Sequence, residues 1–338
     1  MSLHDFDYTL PERLIAQTPL SDRAASRLLW VHRAADRTSH HTFRDVVNIL
    51  EPGDLLVRNN TRVSALRLFG QKPTGGSVEA LLLREAADPS SFVALLRPGR
   101  RLPVGAIIEF EEGLRAKVTQ VLAEGQREIR FECATGELRT RLHDLGQAPL
   151  PPYIRTQLAD PERYQTVYAS QPGSSAAPTA GLHFTQELNQ ALAERGVQFA
   201  EVTLDVGLDT FRPIQTDQID EHVMHGERCS VPPETAQAIA ECRGRVIAVG
   251  TTTVRTLETL AQGRRQIRAG EATSKLFIQP GYSFQGVDGM FTNFHMPRTT
   301  MLLMISALVT PARIRAAYEE AIRQEYRFLS FGDSMLIL

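Results

Sequence analysis

The chain has 338 residues, 42% hydrophobic and 22% charged, a composition typical of a globular enzyme long enough for two domains. A formal net charge of −2 argues against nucleic-acid binding by bulk charge, but it does not exclude a local basic face that binds one specific RNA. The three cysteines form no C-x-x-C pair, which disfavours both a disulfide framework and a zinc knuckle. The N-terminal segment is charged from its fourth residue and no apolar run reaches ~18 residues. A cytoplasmic protein without a signal peptide or a membrane span is therefore expected.

The first 60 residues predict the opening segment of an α/β domain. Strands are expected over 28–33 and 55–60, with a helix over 43–50 between them. From residue 61 to 149 the pattern changes to short alternating runs separated by glycine-containing turns. This pattern is typical of an all-β unit of about six strands, either a barrel or a sandwich.

After the Pro151-Pro152 doublet, predicted strands and helices alternate to the end of the chain. Such alternation favours a mostly parallel sheet. The sequence therefore predicts an α/β main domain, formed by residues 1–60 and 150–338, into which a β-barrel domain of residues 61–149 is inserted.

The segment FTNFHMPRTTMLLMI, residues 291–305, places a polar loop directly before an uncharged helix. The loop carries five polar or ionisable side chains: Thr292, Asn293, His295, Arg298 and Thr299. Pro297 stops any helix from crossing the loop, and Thr299 or Thr300 can cap the helix that follows. Amides at that helix start would favour an anionic group. Either these groups hold a substrate, or they only cap the helix and satisfy the loop backbone.

A second segment, SSAAPTAGLHFT at 174–185, combines small residues with an imidazole just before a helix. Gly181 permits close approach to the backbone, and His183 can act as a base. Pro178 and Thr179 lie in the same loop and are expected to contact substrate. The alternative interpretation is a tight loop with a core histidine.

A third segment, AVGTTTVRTLE at 248–258, ends a buried strand in a glycine and three threonines. Ligands of open α/β sheets bind beyond the carboxyl ends of the strands, so Thr251, Thr252 and Thr253 are expected to bind substrate. Arg255 is a further candidate for substrate binding, although it lies three residues before Glu258 and the two can pair on the helix.

Two other places carry candidate residues. In the first, imidazoles and carboxylates occur together and suggest acid–base or positioning roles: Asp205, His222, His225 and Glu227. No further metal ligand accompanies the two histidines, so no metal site is predicted. In the second, LVRNNTRV at 56–63, a strand ends in polar side chains that can read a base edge or form a turn: Asn59, Asn60, Thr61 and Arg62.

Together these segments resemble the QueA family of queuosine biosynthesis, the S-adenosylmethionine:tRNA ribosyltransferase-isomerases. The resemblance covers nearly the whole chain and rests on blocks in the family's order: FDYTLPERLIAQTP, GDLLVRNNTRV, AAPTAGLHFT, EHVMHGE, AVGTTTVRTLE, FIQPGYSF, TNFHMPRTT and YRFLSFGDSMLI. Where such proteins often read LHVGAGTF, this chain has LDVGLDTF, so Asp205 replaces a histidine and Asp209 a glycine. An imidazole role at position 205 is therefore in doubt.

The resemblance implies that S-adenosylmethionine is a substrate that donates its ribosyl group, with no tightly bound cofactor. The acceptor would be 7-aminomethyl-7-deazaguanine at the wobble position of a tRNA anticodon, and the products epoxyqueuosine, adenine and methionine. It implies acid–base roles for His183, His295 and the cluster 220–227, while Asn293 and the three threonines would hold the donor or base edges. A monomer is expected.

Two alternatives remain at this point. An S-adenosylmethionine-dependent RNA methyltransferase would predict a glycine-rich turn after an early strand, and none is present. A non-enzymatic RNA-binding barrel protein fits the arginines of residues 61–149, but it does not explain why polar clusters gather in the α/β part.

Overall fold

A computed structural model describes residues 3–207, 214, 216, 219–224 and 226–338. The chain divides into two compact units. The first comprises the described residues up to Thr61, Pro151–Gln171 and Ala177–Leu338, and the second comprises Arg62–Leu150 and Pro172–Ala176.

The structure contains nineteen strands among its described residues. In chain order they are β1 (Arg27–His32), β2 (Arg37–Thr42), β3 (Leu55–Asn59), β4 (Thr61–Val63), β5 (Leu66–Gln71), β6 (Ser77–Glu85), β7 (Ser91–Arg97), β8 (Ile107–Phe110), β9 (Arg115–Val121), β10 (Gln126–Phe131), β11 (Gln171–Ser174), β12 (Gln198–Leu204), β13 (Glu227–Val231), β14 (Val246–Val249), β15 (Ala261–Gly263), β16 (Gln266–Ile267), β17 (Gly270–Ser274), β18 (Gly289–Asn293) and β19 (Ser334–Ile337).

Seven α-helices accompany these strands in the described part of the chain. They are α1 (Val46–Ile49), α2 (Thr135–Leu145), α3 (Gln186–Glu194), α4 (Pro233–Glu241), α5 (Thr251–Leu260), α6 (Thr300–Leu308) and α7 (Pro311–Arg323). None of them is by itself long and apolar enough to cross a membrane, although α6 and α7, bent by 111° at their junction, pass that test as a pair.

The first unit is built on a nine-stranded sheet in the order β17-β13-β12-β3-β14-β18-β19-β1-β2. Strands β12, β3, β14 and β18 run parallel to one another, as does the β1/β19 pair. The other ladders are antiparallel. The expectation of a mostly parallel sheet is therefore wrong outside the centre, and the sheet is mixed.

Side chains of the central strands alternate between two apolar cores, one on each face of the sheet. Leu55 and Val57 belong to a core that includes residues of α5, α6 and α7, while Leu56 belongs to a core shared with α3. Strands buried on both faces are continuous apolar runs, which explains sequences such as Val246–Val249. In β14, therefore, polar side chains occur only beyond the ends of the strand.

The second unit is a closed barrel of six antiparallel strands, in the order β10-β7-β6-β5-β8-β9. Its interior is apolar, and Leu138 and Leu142 of α2 belong to the same core. The predicted fold class, an α/β unit with a six-stranded barrel, is confirmed. Helix α2 was not predicted, although its leucines at 138, 142 and 145 have helical spacing.

Candidate active site

The carboxyl ends of β14 and β18 open onto a cavity within the first unit, with about 590 Å³ of empty space when its open mouth is included. Ligands of α/β sheets bind at this kind of position. Three predicted segments meet there, because the loop before His183, the start of α5 and the end of β18 all supply lining residues. The residues predicted from sequence that line this cavity are Pro178, Thr179, Thr251, Thr252, Thr292, Asn293 and His295.

Asn293 is the last residue of β18, and its amide group is only half satisfied by the protein. Nδ2 donates to Nε2 of His183 and to the carbonyl oxygen of Leu329, both at 3.2 Å. Oδ1 is buried and accepts no hydrogen bond from the described residues. A buried acceptor without a donor is rare in folded proteins and calls for a ligand or a water molecule.

His183 is enclosed, and both of its ring nitrogens have partners. Because Nε2 accepts from Asn293, the proton lies on Nδ1, which donates to Ser26 Oγ at 2.7 Å. The Ser26 hydroxyl in turn donates to the carbonyl oxygen of Arg23 at 3.2 Å. Burial, reinforced by the charges of Arg23 and Arg327, lowers the pKa of His183 to about 3. The ring is therefore neutral at pH 7 and fixed in one tautomer.

His295 is also buried, but only one of its ring nitrogens is hydrogen-bonded. Thr292 Oγ1 donates to the carbonyl oxygen of Asn293, so at 2.7 Å it accepts from Nε2–H of His295. This leaves Nδ1 as the unprotonated nitrogen, with no partner in the described part of the chain. Burial lowers the pKa of His295 to about 3. The cavity thus contains a neutral imidazole whose Nδ1 lone pair can accept a proton.

Two tyrosines hold the backbone of His295 in place. Its amide donates to the Tyr318 hydroxyl at 2.9 Å, and the Tyr8 hydroxyl donates to its carbonyl oxygen. Both tyrosines belong to or pack against the apolar core on that face. The backbone that carries the His295 imidazole is consequently held rigidly.

Arg298 and Thr299, at the end of the polar loop, stabilise the fold and do not line the cavity. Arg298 has a left-handed backbone with φ of 58°, and its amide donates to the carbonyl oxygen of Phe6 at 3.0 Å. Thr299 is fully buried; its Oγ1 accepts from the amide of Leu302 and donates to the carbonyl oxygen of Met296. Of the two predicted caps for α6, Thr299 is the one observed.

Helix α5 presents an open N-terminus to the cavity. Gly250, with φ of 90°, precedes the helix, and no side chain caps the first amides. Thr251 and Thr252 line the cavity. Thr253 does not, because it is fully buried and its hydroxyl donates to the carbonyl oxygen of Val249 at 2.8 Å.

Arg255 forms a buried ion pair with Glu227, and neither residue lines the cavity. Glu227 also accepts from the amide of Gly207 at 2.9 Å. The expected pairing of Arg255 with Glu258 is wrong. Glu258 instead accepts from the amides of Gln285 and Gly286 and from the Tyr282 hydroxyl.

The remaining acid–base candidates that the structure describes, Asp205 and His222, do not line the cavity. Asp205 pairs with Arg228 Nε at 3.1 Å, and its other oxygen is buried without a partner among the described residues. The ring of His222 packs edge-on against Phe277, with centroids 5.5 Å apart. His225 and Asp209 lie outside the described residues. In the described part of the chain no group of three or more His, Cys, Asp or Glu side chains could hold a metal ion.

The two asparagines after β3 are fully engaged by the protein. Asn59 Oδ1 accepts from the amides of Thr61 and Leu204, both at 3.1 Å, and its Nδ2 donates to Leu204 O at 3.1 Å. Asn60 bonds Glu201 and Thr203, and Thr61 Oγ1 donates to the carbonyl oxygen of Gln171 at 3.4 Å. The side chains close the strand end. Arg62 belongs to the second unit.

Gly181 is required for internal packing. A Cβ at this position would clash with the Tyr168 hydroxyl and lie 2.9 Å from Thr166 Cγ2. The space left by the missing Cβ of Gly181 is thus occupied by the side chain of Tyr168.

Several cavity residues were missed by sequence reasoning. Tyr153 and Ser330 line the cavity and are joined by a hydrogen bond of 2.7 Å, while Val206 and Leu329 add apolar surface. The segment LDVGLDTF contains Val206 and the block YRFLSFGDSMLI contains Leu329 and Ser330, whereas no block contains Tyr153. Ser26, the partner of His183, lies in none of the blocks either.

Comparisons with known proteins agree with this architecture. The sequence matches the family described as "Queuosine biosynthesis protein" over residues 3–337. Curated relatives named S-adenosylmethionine:tRNA ribosyltransferase-isomerase include those of Desulforamulus reducens, 46% identical, and Symbiobacterium thermophilum, 50% identical, each matched over 100% of both chains. The crystal structure of an S-adenosylmethionine tRNA ribosyltransferase from Thermotoga maritima is 37% identical, with a TM-score of 0.56 over 99% of this chain and 100% of that one. The chain therefore belongs to the queuosine biosynthesis protein family.

Proposed function

We propose that this chain is a transferase-isomerase that moves the ribosyl group of S-adenosylmethionine onto tRNA. The acceptor is 7-aminomethyl-7-deazaguanine at the anticodon wobble position, and the products are epoxyqueuosine-tRNA, adenine and methionine. The observation that carries this proposal is the full-length family match of a chain whose cavity combines a neutral imidazole with an unpaired amide oxygen.

The first chemical demand of this reaction is a base, since a sulfonium acidifies the C5′ protons of the attached ribose. His295 Nδ1 meets it, because burial keeps the imidazole neutral and its other nitrogen is committed to Thr292. Proton transfer turns the cationic sulfonium into a neutral ylide and the imidazole into an imidazolium. The total charge of the cavity stays constant, so the buried histidine gains its proton as the substrate loses its charge.

The second chemical demand is that the substrates be oriented for the reaction. Asn293 Oδ1 accepts a hydrogen bond from an N–H donor, either the exocyclic amine of adenine or the acceptor aminomethyl group. His183 is a positioning residue, because its bond to Asn293 Nδ2 fixes the orientation of the amide group and hence of Oδ1. Thr251, Thr252 and the open amides of α5 receive the carboxylate of the methionyl group. Pro178 and Thr179 complete the wall.

Other residues named from sequence support this arrangement without touching substrate. The Arg255–Glu227 ion pair, the Asn59 hydrogen bonds and the Thr299 cap hold the strand and helix ends that carry the contacts. The proposal treats S-adenosylmethionine as a substrate, with no resident cofactor, and the protein as a cytoplasmic monomer. Light scattering of the purified protein tests the monomer.

The decisive experiment incubates the protein with S-adenosylmethionine and tRNA that carries the precursor base, and quantifies the small products by chromatography. We expect adenine and methionine in equal amounts. S-adenosylhomocysteine would indicate methyl transfer, and absence of turnover would indicate a binding protein. The control is tRNA with unmodified guanine at the wobble position, which lacks the acceptor amine and should release no adenine.

A further inference from the structure

A second cavity, with about 310 Å³ of empty space when its open mouth is included, lies next to the first within the same unit. It is lined by His183 and shares Ser330 with the first cavity. Two arginines, Arg23 and Arg163, also line it. The His183–Asn293 hydrogen bond connects the walls of the two cavities.

The guanidinium groups of Arg23 and Arg163 are held by carbonyl oxygens. Arg23 donates to Gln165 O at 2.7 Å and Glu162 O at 3.1 Å, and Arg163 donates to Leu20 O and to Ser21 O at 3.2 Å. Neither arginine forms an ion pair within the described part of the chain. Carbonyl oxygens fix the orientation of a guanidinium but do not neutralise its charge.

Two buried guanidinium donors, one on an arginine that lines this cavity and one on an arginine whose charge acts on His183, have no partner among the described residues. They are Nε of Arg163 and Nη1 of Arg327. Unsatisfied buried donors are uncommon, and on cationic groups they are especially costly. Of the two, the Arg163 donor belongs to a residue of the cavity wall and is suited to an oxyanion there.

The electrostatics around the second cavity also favour a bound anion. Burial and the charge of Arg163 lower the pKa of Arg23, against the weaker opposing effects of Asp160 and Glu162. The charge of Arg327 also acts on His183, so positive charge accumulates around the neutral ring. A bound anion would relieve this repulsion.

We infer that the second cavity binds a phosphate group of the tRNA backbone beside the modified nucleotide. This inference rests on the proposed function, because that function makes RNA the substrate. Arginine is the residue best suited to phosphate, and phosphate contacts fix the position of a nucleic acid without reading its sequence. The wall shared through Ser330 and His183 lets one nucleotide place its base in the first cavity and a phosphate in the second.

The test measures equilibrium binding of tRNA carrying the precursor base, at several salt concentrations, to Arg163→Gln and Arg23→Gln variants. Each variant should weaken tRNA binding and reduce the slope of log K against log salt by about 0.7, the value for one phosphate contact in a single strand. The affinity for S-adenosylmethionine should stay within about twofold of wild type, since no phosphate contact is involved. The matched control is Arg323→Gln, which removes an exposed arginine with a 68% exposed side chain.

Arg163→Lys separates charge from structure. Lysine keeps the positive charge but lacks the guanidinium that donates to two carbonyl oxygens. A salt slope equal to that of the wild-type protein would therefore support a phosphate contact. A slope reduced as much as in Arg163→Gln would overturn it. Weaker binding of S-adenosylmethionine with unchanged tRNA binding would overturn the inference in favour of the methionyl carboxylate. Unchanged constants throughout would also overturn it. Adenine release by the wild-type protein tests the proposed function separately, because the binding slopes require no turnover.

Discussion

Two buried asparagines end parallel strands of the same sheet, and the protein treats them in opposite ways. Asn59 ends β3 and Asn293 ends β18, with β14 between them. The Oδ1 atom of Asn59 accepts two backbone amides, whereas the Oδ1 atom of Asn293 accepts none from the described residues. Residue type, burial and position on the strand are the same, so only the incomplete hydrogen bonding marks Asn293 as a ligand contact.

The contrast extends to the neighbours of each asparagine. We call the group Asn59, Asn60, Glu227 and Arg255 the closed edge, because each of these side chains is bonded within the protein. We call the group Thr251, Thr252, Asn293 and His295 the open edge, because each lines the cavity. Substitutions at the closed edge should reduce stability, and substitutions at the open edge should reduce activity.

The largest effect is expected from His295→Ala at the open edge. Loss of the base should lower the rate of adenine release about 10²- to 10⁴-fold, the usual contribution of general base catalysis. The thermal midpoint should change little, because two tyrosines hold the backbone at this position. His222→Ala is the matched control, since this histidine does not line the cavity. A near-wild-type rate in His295→Ala would remove this residue from the mechanism.

At the closed edge, Glu227→Gln should leave the Arg255 guanidinium buried without its counter-charge. Breaking one partner of a buried ion pair costs about 3–5 kcal/mol, so the free energy of unfolding should fall by that order. Urea titration measures it. If stability were retained while activity was lost, the ion pair would belong to the open edge.

The asparagine pair tests the comparison directly. Asn59→Ala leaves two buried amides unpaired and should lower the free energy of unfolding by about 1–3 kcal/mol, with a smaller change in kcat. Asn293→Ala should lower kcat/KM about tenfold or more, because it removes both the ligand contact and the partner of His183. Urea titration and adenine release are measured on both variants. The reverse outcome would mean that the unpaired oxygen has no ligand.

A further effect concerns the dependence of stability on pH. The pKa values of His183 and His295 are lowered from 6.5 to about 3 in the folded protein, so below pH 6.5 the unfolded chain binds protons that the folded chain does not. Stability from these residues is fully present above pH 6.5 and falls toward pH 3, by up to about 1.4 kcal/mol per pH unit for each histidine. Urea titrations between pH 7.5 and 5 should show this slope, reduced in His183→Asn. A slope unchanged by that substitution would contradict the assignment.

Local patterns predicted the elements but not the partners of the side chains. The barrel and the helix after Pro297 follow from alternation and from a helix stop signal, which are properties of neighbouring residues. Arg255 was expected to pair with Glu258 on its own helix, yet it pairs with Glu227 across the fold. The proximity of Ser26 to His183, 157 residues apart, carries no local signal. Whether an asparagine is open or closed depends on such distant contacts.

The position of β19 bears on how the protein is made. This strand pairs with β18 on one side and β1 on the other, so residues near both ends of the chain meet inside one sheet. During synthesis the strands of the barrel are complete long before β19 leaves the ribosome, whereas the β1/β2 pair must wait for β19, the other neighbour of β1. Such long-range pairing folds slowly and leaves strand edges exposed. We expect nascent chains that lack β19 to contain a folded barrel beside an unfinished, aggregation-prone sheet.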